Sequence, residues 1–307
     1  MRNRKNALPL KDLCQLVKNG RFEEAMHLVA GDPGREKSAA LDEDPLYQSA
    51  LFWKGTMDAS ASLDRYAASE FLTSRWDEFA LNPVVPALPE SYRYALKEYV
   101  YNKALSGYLE LYNISGIADT VVLSRLGKLR KGLGDYDLAI KSYELARGRA
   151  MEDARITAAL ADCYALIDET RAAKLLFREA FFLDPGAVDL GDCEAPFIRE
   201  IADRLASSGV PEEDITYWIP VLATAEGLFN VRRELKPVEI GRLAQSIREL
   251  EQTWSEQPTD RTRALLLNRY FWLADHYAGI KAPREDLENV LMKIKQLDPE
   301  IYERYIH

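Results

Sequence analysis

Residues 120–153 read TVVLSRLGKLRKGLGDYDLAIKSYELARGRAMED, and residues 154–187 read ARITAALADCYALIDETRAAKLLFREAFFLDPGA. Slid by 34 residues, the second line repeats the packing letters of the first: Gly127, Ala139, Tyr143 and Ala146 return as Ala161, Ala173, Phe177 and Ala180. Small residues at these places let two antiparallel helices approach closely, and the aromatic between the alanines fills the space beside the next pair. Asp184-Pro185 then stops the last helix. A period of this length in helical sequence marks a stacked helix–turn–helix array.

The chain has 307 residues and is 47% hydrophobic, enough for two ordinary cores or for a long row of small ones. A stacked array runs on as one body. The net charge of −9 turns the reading away from nucleic acid, whose phosphates call for a basic surface. No apolar run reaches the roughly 18 residues of a membrane span. Met1-Arg2-Asn3-Arg4-Lys5 has the charge of a signal-peptide start, but Pro9, Lys11 and Asp12 interrupt any apolar core behind it. Lys11-Asp12-Leu13 before Cys14 is the wrong chemistry for a lipobox. The chain therefore reads as soluble and cytoplasmic, or periplasmic if an export signal has been removed. Cys14, Cys163 and Cys193 form no pair at short spacing, which points to thiols in a reducing compartment and to no metal site.

The two copies resemble the tetratricopeptide repeat. The resemblance rests on Leu123, Leu126 and Gly127, the turn at Gly134 and Tyr136, then Ala139, Tyr143 and Ala146. In the second copy it rests on Leu160, Ala161, Tyr164, Ala173, Phe177, Ala180 and Pro185. Arg130 stands where the family has tyrosine, Met151 where it has proline, Thr157 where it has a large apolar residue, and Asp168 at the turn glycine. The implied fold is an all-α solenoid of antiparallel helix pairs, with about 14 helices.

Outside residues 120–187 the frame wears thin. Asn19-Gly20-Arg21-Phe22-Glu23-Glu24-Ala25 has the look of the turn and second helix of a copy over residues 8–30. Gly55, Ala67 and Phe71 keep the spacing between Pro45 and Asn82. Ile198, Ile201, Ala202, Leu205 and Gly209 fit a first helix and its turn, but Asp214 replaces the alanine expected next. Phe271, Ala274, Leu287, Leu291, Ile294 and Pro299 fit a last copy in which Asp275 takes the small-residue place. Pro237 and Pro283 suit first helical turns, and residues 31–44 read as the longest loop. Pro83, Pro86 and Pro89 suggest a junction. The expected organisation is an N-terminal helical region over 1–82, a central repeat region over 83–210 and a C-terminal helical region over 211–307.

The resemblance implies a groove lined by the first helix of each copy. There it places Ser124, Arg125, Lys128 and Lys131 from one copy, and Arg155 and Asp162 from the next. The cations form a basic spot on an acidic chain, suited to a carboxylate or acidic peptide; a solvated helix face is the alternative. The set that chaperone-adaptor members use to clamp a C-terminal carboxylate is absent, since Ser124, Lys128 and Ala159 occupy its first three places. A second candidate is Tyr94, Tyr101 and Tyr108, seven residues apart and so on one drifting helix face, fit for recognition or for helix packing. His27, His276 and His307 are far apart, Asp135 and Asp137 flank a turn where capping is their ordinary role, and no phosphate loop or nucleophile motif occurs. The reading is a non-enzymatic, cofactor-free scaffold that binds a protein or peptide. The alternatives are a bacterial transport-associated protein that binds a small ligand or a periplasmic substrate-binding component, and a self-assembling structural solenoid.

Overall fold

The computed structural model describes residues 10–31, 43–115, 119–231 and 233–307. The basic start of the chain and most of the loop expected over 31–44 lie outside them. Among the described residues every regular element is helical, with fifteen α-helices, two 3-10 turns and no strand. No helix among them is long and apolar enough to cross a membrane. The chain forms two compact units, Met1–Ser142 and Tyr143–His307. The expected boundaries at 82 and 210 each fall inside a unit, and the proline-rich stretch is a short 3-10 turn at Val85–Ala87 within the first.

The first unit holds α1 (Leu10–Lys18), α2 (Phe22–Ala30), α3 (Pro45–Ser60), α4 (Arg65–Ala80), α5 (Glu90–Ser115) and α6 (Thr120–Gly132). The long α5 packs against α1, α4 and α6. Gly107 lets it come close to α4, since an added Cβ there would meet the Arg65 carbonyl oxygen at 2.5 Å. Beside it lies an aromatic core in which Trp53 contacts Phe52, Trp76 and Phe79. Gly55 does not sit at a helix contact, because its Cβ position opens on empty space. The buried stripe of α3 is instead Ser49, Trp53, Thr56 and Ser60.

Helix α7 (Tyr136–Arg149) contains the division between the units. The second unit continues with α8 (Ala154–Leu166), α9 (Thr170–Leu183), α10 (Pro196–Ser207), α11 (Glu212–Ala225), α12 (Pro237–Glu256), α13 (Asp260–Gly279), α14 (Arg284–Leu297) and α15 (Pro299–Ile306). Chain neighbours pack as α8/α9, α10/α11, α12/α13, α13/α14 and α14/α15, and α9, α11 and α13 also touch in succession. The fold is all-α, built of neighbouring helix pairs as in an α-solenoid. Pro237 opens α12 in its first turn as expected, whereas Pro283 is the N-cap of α14.

The 34-residue period is reproduced to the residue. Helices α6 and α8 start at 120 and 154, and α7 and α9 start at 136 and 170. All eight repeat-signature residues, Gly127, Ala139, Tyr143, Ala146, Ala161, Ala173, Phe177 and Ala180, are buried. The first helix of each copy is capped by an aspartate, Asp119 accepting from the Val122 N–H at 2.8 Å and Asp153 from the Arg155 N–H at 2.9 Å. Arg130, in place of the family's tyrosine, reaches the other helix of its hairpin and donates to Ser142 Oγ at 2.7 Å.

One turn geometry recurs beyond these copies. Gly20, Gly134, Asp168, Gly209 and Lys281 each lie two residues past a helix end, with φ of 70°, 84°, 62°, 85° and 52°. The next residue's N–H in every case donates back five residues: Arg21 to Leu16, Asp135 to Arg130, Glu169 to Tyr164, Val210 to Leu205 and Ala282 to Tyr277, at 2.9 to 3.1 Å. This six-to-one bond is the Schellman motif, which satisfies a helix-end carbonyl while the left-handed residue reverses the chain. The following helix begins two residues on in three turns, and three residues on where Pro211 or Pro283 intervenes. Only glycine adopts this backbone without penalty, so Asp168 and Lys281 hold it at a cost. Lys281→Gly should therefore raise the unfolding free energy by about 0.5–1 kcal/mol, net of glycine's entropy. Gly134→Ala should lower it by about 1 kcal/mol. Urea denaturation reads both, and unchanged midpoints in the two variants would contradict the assignment.

Candidate functional site

Helix α4 places Glu70 and Asp77 two turns apart, and α6 brings Arg125 and Lys128 to them. Arg125 donates through Nε and Nη2 to the two Glu70 oxygens at 3.3 and 3.2 Å, and Lys128 Nζ lies 3.1 Å from Asp77 Oδ1. The Tyr108 hydroxyl on α5 donates to Glu70 Oε1 at 2.6 Å, and its ring meets Tyr66 edge to face. Burial, followed by the bond to Glu70, raises the Tyr108 phenol above its ordinary value. Two of the expected groove cations are thus matched by carboxylates of the same unit. Ser124 donates to the Thr120 carbonyl of its own helix at 2.8 Å, and Lys131 lies in the last turn of α6.

The tyrosines of α5 do not share one exposed face. Tyr94 is 60% exposed, whereas Tyr101 and Tyr108 are 5% and 0% exposed. Tyr101 packs edge to face on Trp76 with ring centres 5.2 Å apart. On its other side it covers Gly132, where any Cβ would strike the Tyr101 ring. A separate pair, Tyr92 and Tyr99, serves another flank of the helix: Tyr92 is fully buried, and Tyr99 packs against Phe22 and the turn at Gly20. The recurrence at seven residues therefore reflects packing for Tyr101 and Tyr108, and Tyr94 alone of the three faces solvent.

In the second unit Arg155 is exposed and pairs at 2.9 Å with Asp153, the cap of its own helix. Asp162 is buried. Its Oδ1 accepts from the N–H groups of Glu194 and Ala195 at 2.9 and 2.7 Å and from the Cys193 thiol at 3.4 Å. These donors belong to residues 184–195, the connection between α9 and α10, which is far longer than the connection from α7 to α8.

Two arginines at helix contacts, Arg178 buried and Arg269 partly buried, went unseen in the sequence. Arg178 of α9 bonds Asp275 of α13 and the Val231 carbonyl, with its guanidinium 4.5 Å from the centre of the Trp272 ring. Arg269 of α13 donates to Phe182 O at the open C-terminal end of α9, and Asn268 donates to Phe181 O at 3.1 Å. Burial lowers the Arg269 guanidinium to about 10. Both arginines hold helix to helix. Their only sequence signal was the misfit of Asp275 at a small-residue place.

Among the described residues no group of three or more His, Cys, Asp or Glu side chains is arranged to hold a metal ion. No protein-family model matches the chain, and no curated protein sequence matches it.

Magnitudes separate the roles of these residues. A half-exposed ion pair such as Arg125–Glu70 contributes about 0–1 kcal/mol, while removing a buried aromatic costs about 3–5 kcal/mol. Tyr101→Ala should lose stability in that larger range, and Tyr94→Ala should stay within about 0.5 kcal/mol of the parent. Thermal and urea melts of the two variants compare them directly. Equal losses would mean that the two tyrosines do not differ in burial.

Proposed function

We propose that this protein is a non-catalytic scaffold of the cytoplasm that recognises a protein or peptide partner on the solvent faces of its helix hairpins. The observation that carries the reading is the recurrence of one helix–turn–helix geometry at five junctions, from Gly20 to Lys281. Such repetition lays many short helices side by side and yields recognition surface in proportion to the number of hairpins. The polar groups with unusual surroundings are explained by packing: Arg178 and Asp275 join two helices, Asp162 holds a connection, and Tyr108 with Glu70 joins three helices of the first unit. The basic residues first favoured for a groove are a lesser part of this proposal, because Arg125 and Lys128 already face carboxylates. Exposed side chains suited to contact a partner are Tyr94 in the first unit and Leu145, Met151 and Arg155 in the second.

A photo-crosslinking residue placed singly at Tyr94, Leu145 or Arg155 in the full chain, expressed in its native cells, tests the proposal. The expected result is a discrete protein adduct of constant mass from at least one of these positions, and none from the buried control Tyr108. The adduct's protein, once purified, should form a stoichiometric complex with the unmodified chain. Folded variants that give no adduct at any exposed position would contradict the scaffold reading.

A further inference from the structure

Asn19-Gly20 is the one Asn-Gly pair in the sequence. Such a pair can modify itself without enzyme or cofactor. The glycine nitrogen gives up its proton and attacks the asparagine Cγ, the bond from Cγ to the amide nitrogen breaks, and ammonia leaves. The succinimide ring that remains is opened by water to aspartate or isoaspartate. Glycine in second place favours the attack because it carries no Cβ to obstruct it. Here the pair forms the turn between α1 and α2, the first of the five left-handed turns, and Asn19 is exposed to water.

The closed turn keeps the nitrogen from the carbon it would attack. Asn19 N–H bonds the Gln15 and Leu16 carbonyls, both at 3.2 Å, so helical winding extends through Asn19. In a helix the side chain leans toward the N-terminus while the next nitrogen lies ahead, whereas ring closure needs that nitrogen beside Cγ. The Gly20 N–H, whose proton must be lost, donates to the Val17 carbonyl at 3.0 Å, and the Arg21 N–H fixes the turn through Leu16 O at 2.9 Å. Tyr99 of α5 covers Gly20 so closely that any added Cβ would strike its ring. Phe22 in turn holds that ring edge to face, with ring centres 5.5 Å apart.

We propose that Asn19 is a self-modification site of this chain, a deamidation clock that advances only while the α1–α2 turn is open. Isoaspartate at this place adds a methylene to the backbone, so the six-to-one bond from Arg21 to Leu16 loses its register. The new carboxylate also stands at the C-terminal end of α1, where the helix dipole opposes it. The conversion is one-way and marks each chain whose turn has opened.

The test follows the change of Asn19 amide to carboxyl by peptide mass spectrometry, in the full-length folded protein held at mildly alkaline pH. An acetylated peptide copying residues 15–24 and the chain unfolded in urea serve as the unprotected references. The folded chain should convert at least tenfold more slowly than either. Tyr99→Ala, confirmed as folded by circular dichroism, should speed the conversion about tenfold, and Phe22→Leu, which loosens the same ring more gently, about threefold. In the unmodified chain at urea concentrations below the unfolding transition, the rate at Asn19 should rise in step with hydrogen exchange of the Arg21 amide. Conversion of the folded chain at the peptide's rate would overturn the protection by the turn. A rate at Asn19 that stays flat while the Arg21 amide exchanges faster would overturn the open-turn route. No conversion in the unfolded chain would remove the site itself.

Discussion

Two antiparallel helices can pack along their length only if the chain leaves the first and enters the second within a few residues. The carbonyls at the end of the first helix must still find donors. A left-handed residue followed by a six-to-one bond meets both needs at once. It fixes the end of the first helix, the direction of the exit and the start of the second. At Gly20, Gly134, Asp168, Gly209 and Lys281 the chain uses this one solution. The buried alanines and aromatics can interdigitate because the turn sets their register. Ala161, Ala173, Phe177 and Ala180 are in contact range only if Asp168 reverses the chain where it does.

Much of this was legible in residues 120–187, where both the packing letters and the turn recur. Elsewhere legibility followed physical cause. Gly20 and Gly209 announce their turns because glycine is the cheap residue at positive φ. Lys281 gives no such sign, since a lysine held there by its neighbours looks like any exposed lysine. Gly55 misled for the opposite reason: an exposed helical glycine with open space above it has the same letter as one that admits a neighbouring helix. Asp275 broke the repeat frame because its partner, Arg178, is 97 residues away. A buried charge with a distant partner has no local signature.

The candidate site was legible to a smaller extent. The spacing of Tyr94, Tyr101 and Tyr108 was correctly placed on one helix, but α5 has neighbours on several sides and heptad spacing drifts around a straight helix. One tyrosine therefore faces water and two face helices. The basic residues of α6 were likewise found, while the carboxylates that match them stand more than 50 residues earlier, on α4. The sequence also holds the pair Asp119 and Asp153, 34 residues apart, as matched helix caps. What distinguishes a recognition surface from a packed one is burial, and burial depends on partners that periodicity does not name. Within each unit the polar groups with unusual settings, Arg178 with Asp275 and Tyr108 with Glu70, join helices to one another.

The central claim is that one turn geometry organises the helix pairs even where no glycine marks it. The backbone at Asp168 and Lys281 tests this most directly. Solution NMR of the full chain, through three-bond HN–Hα couplings, chemical shifts and amide exchange, should report positive φ at both residues. It should also find the Glu169 and Ala282 amides protected, as donors to Tyr164 and Tyr277. Negative φ at the two residues, with those amides exchanging as freely as an open loop, would contradict the account.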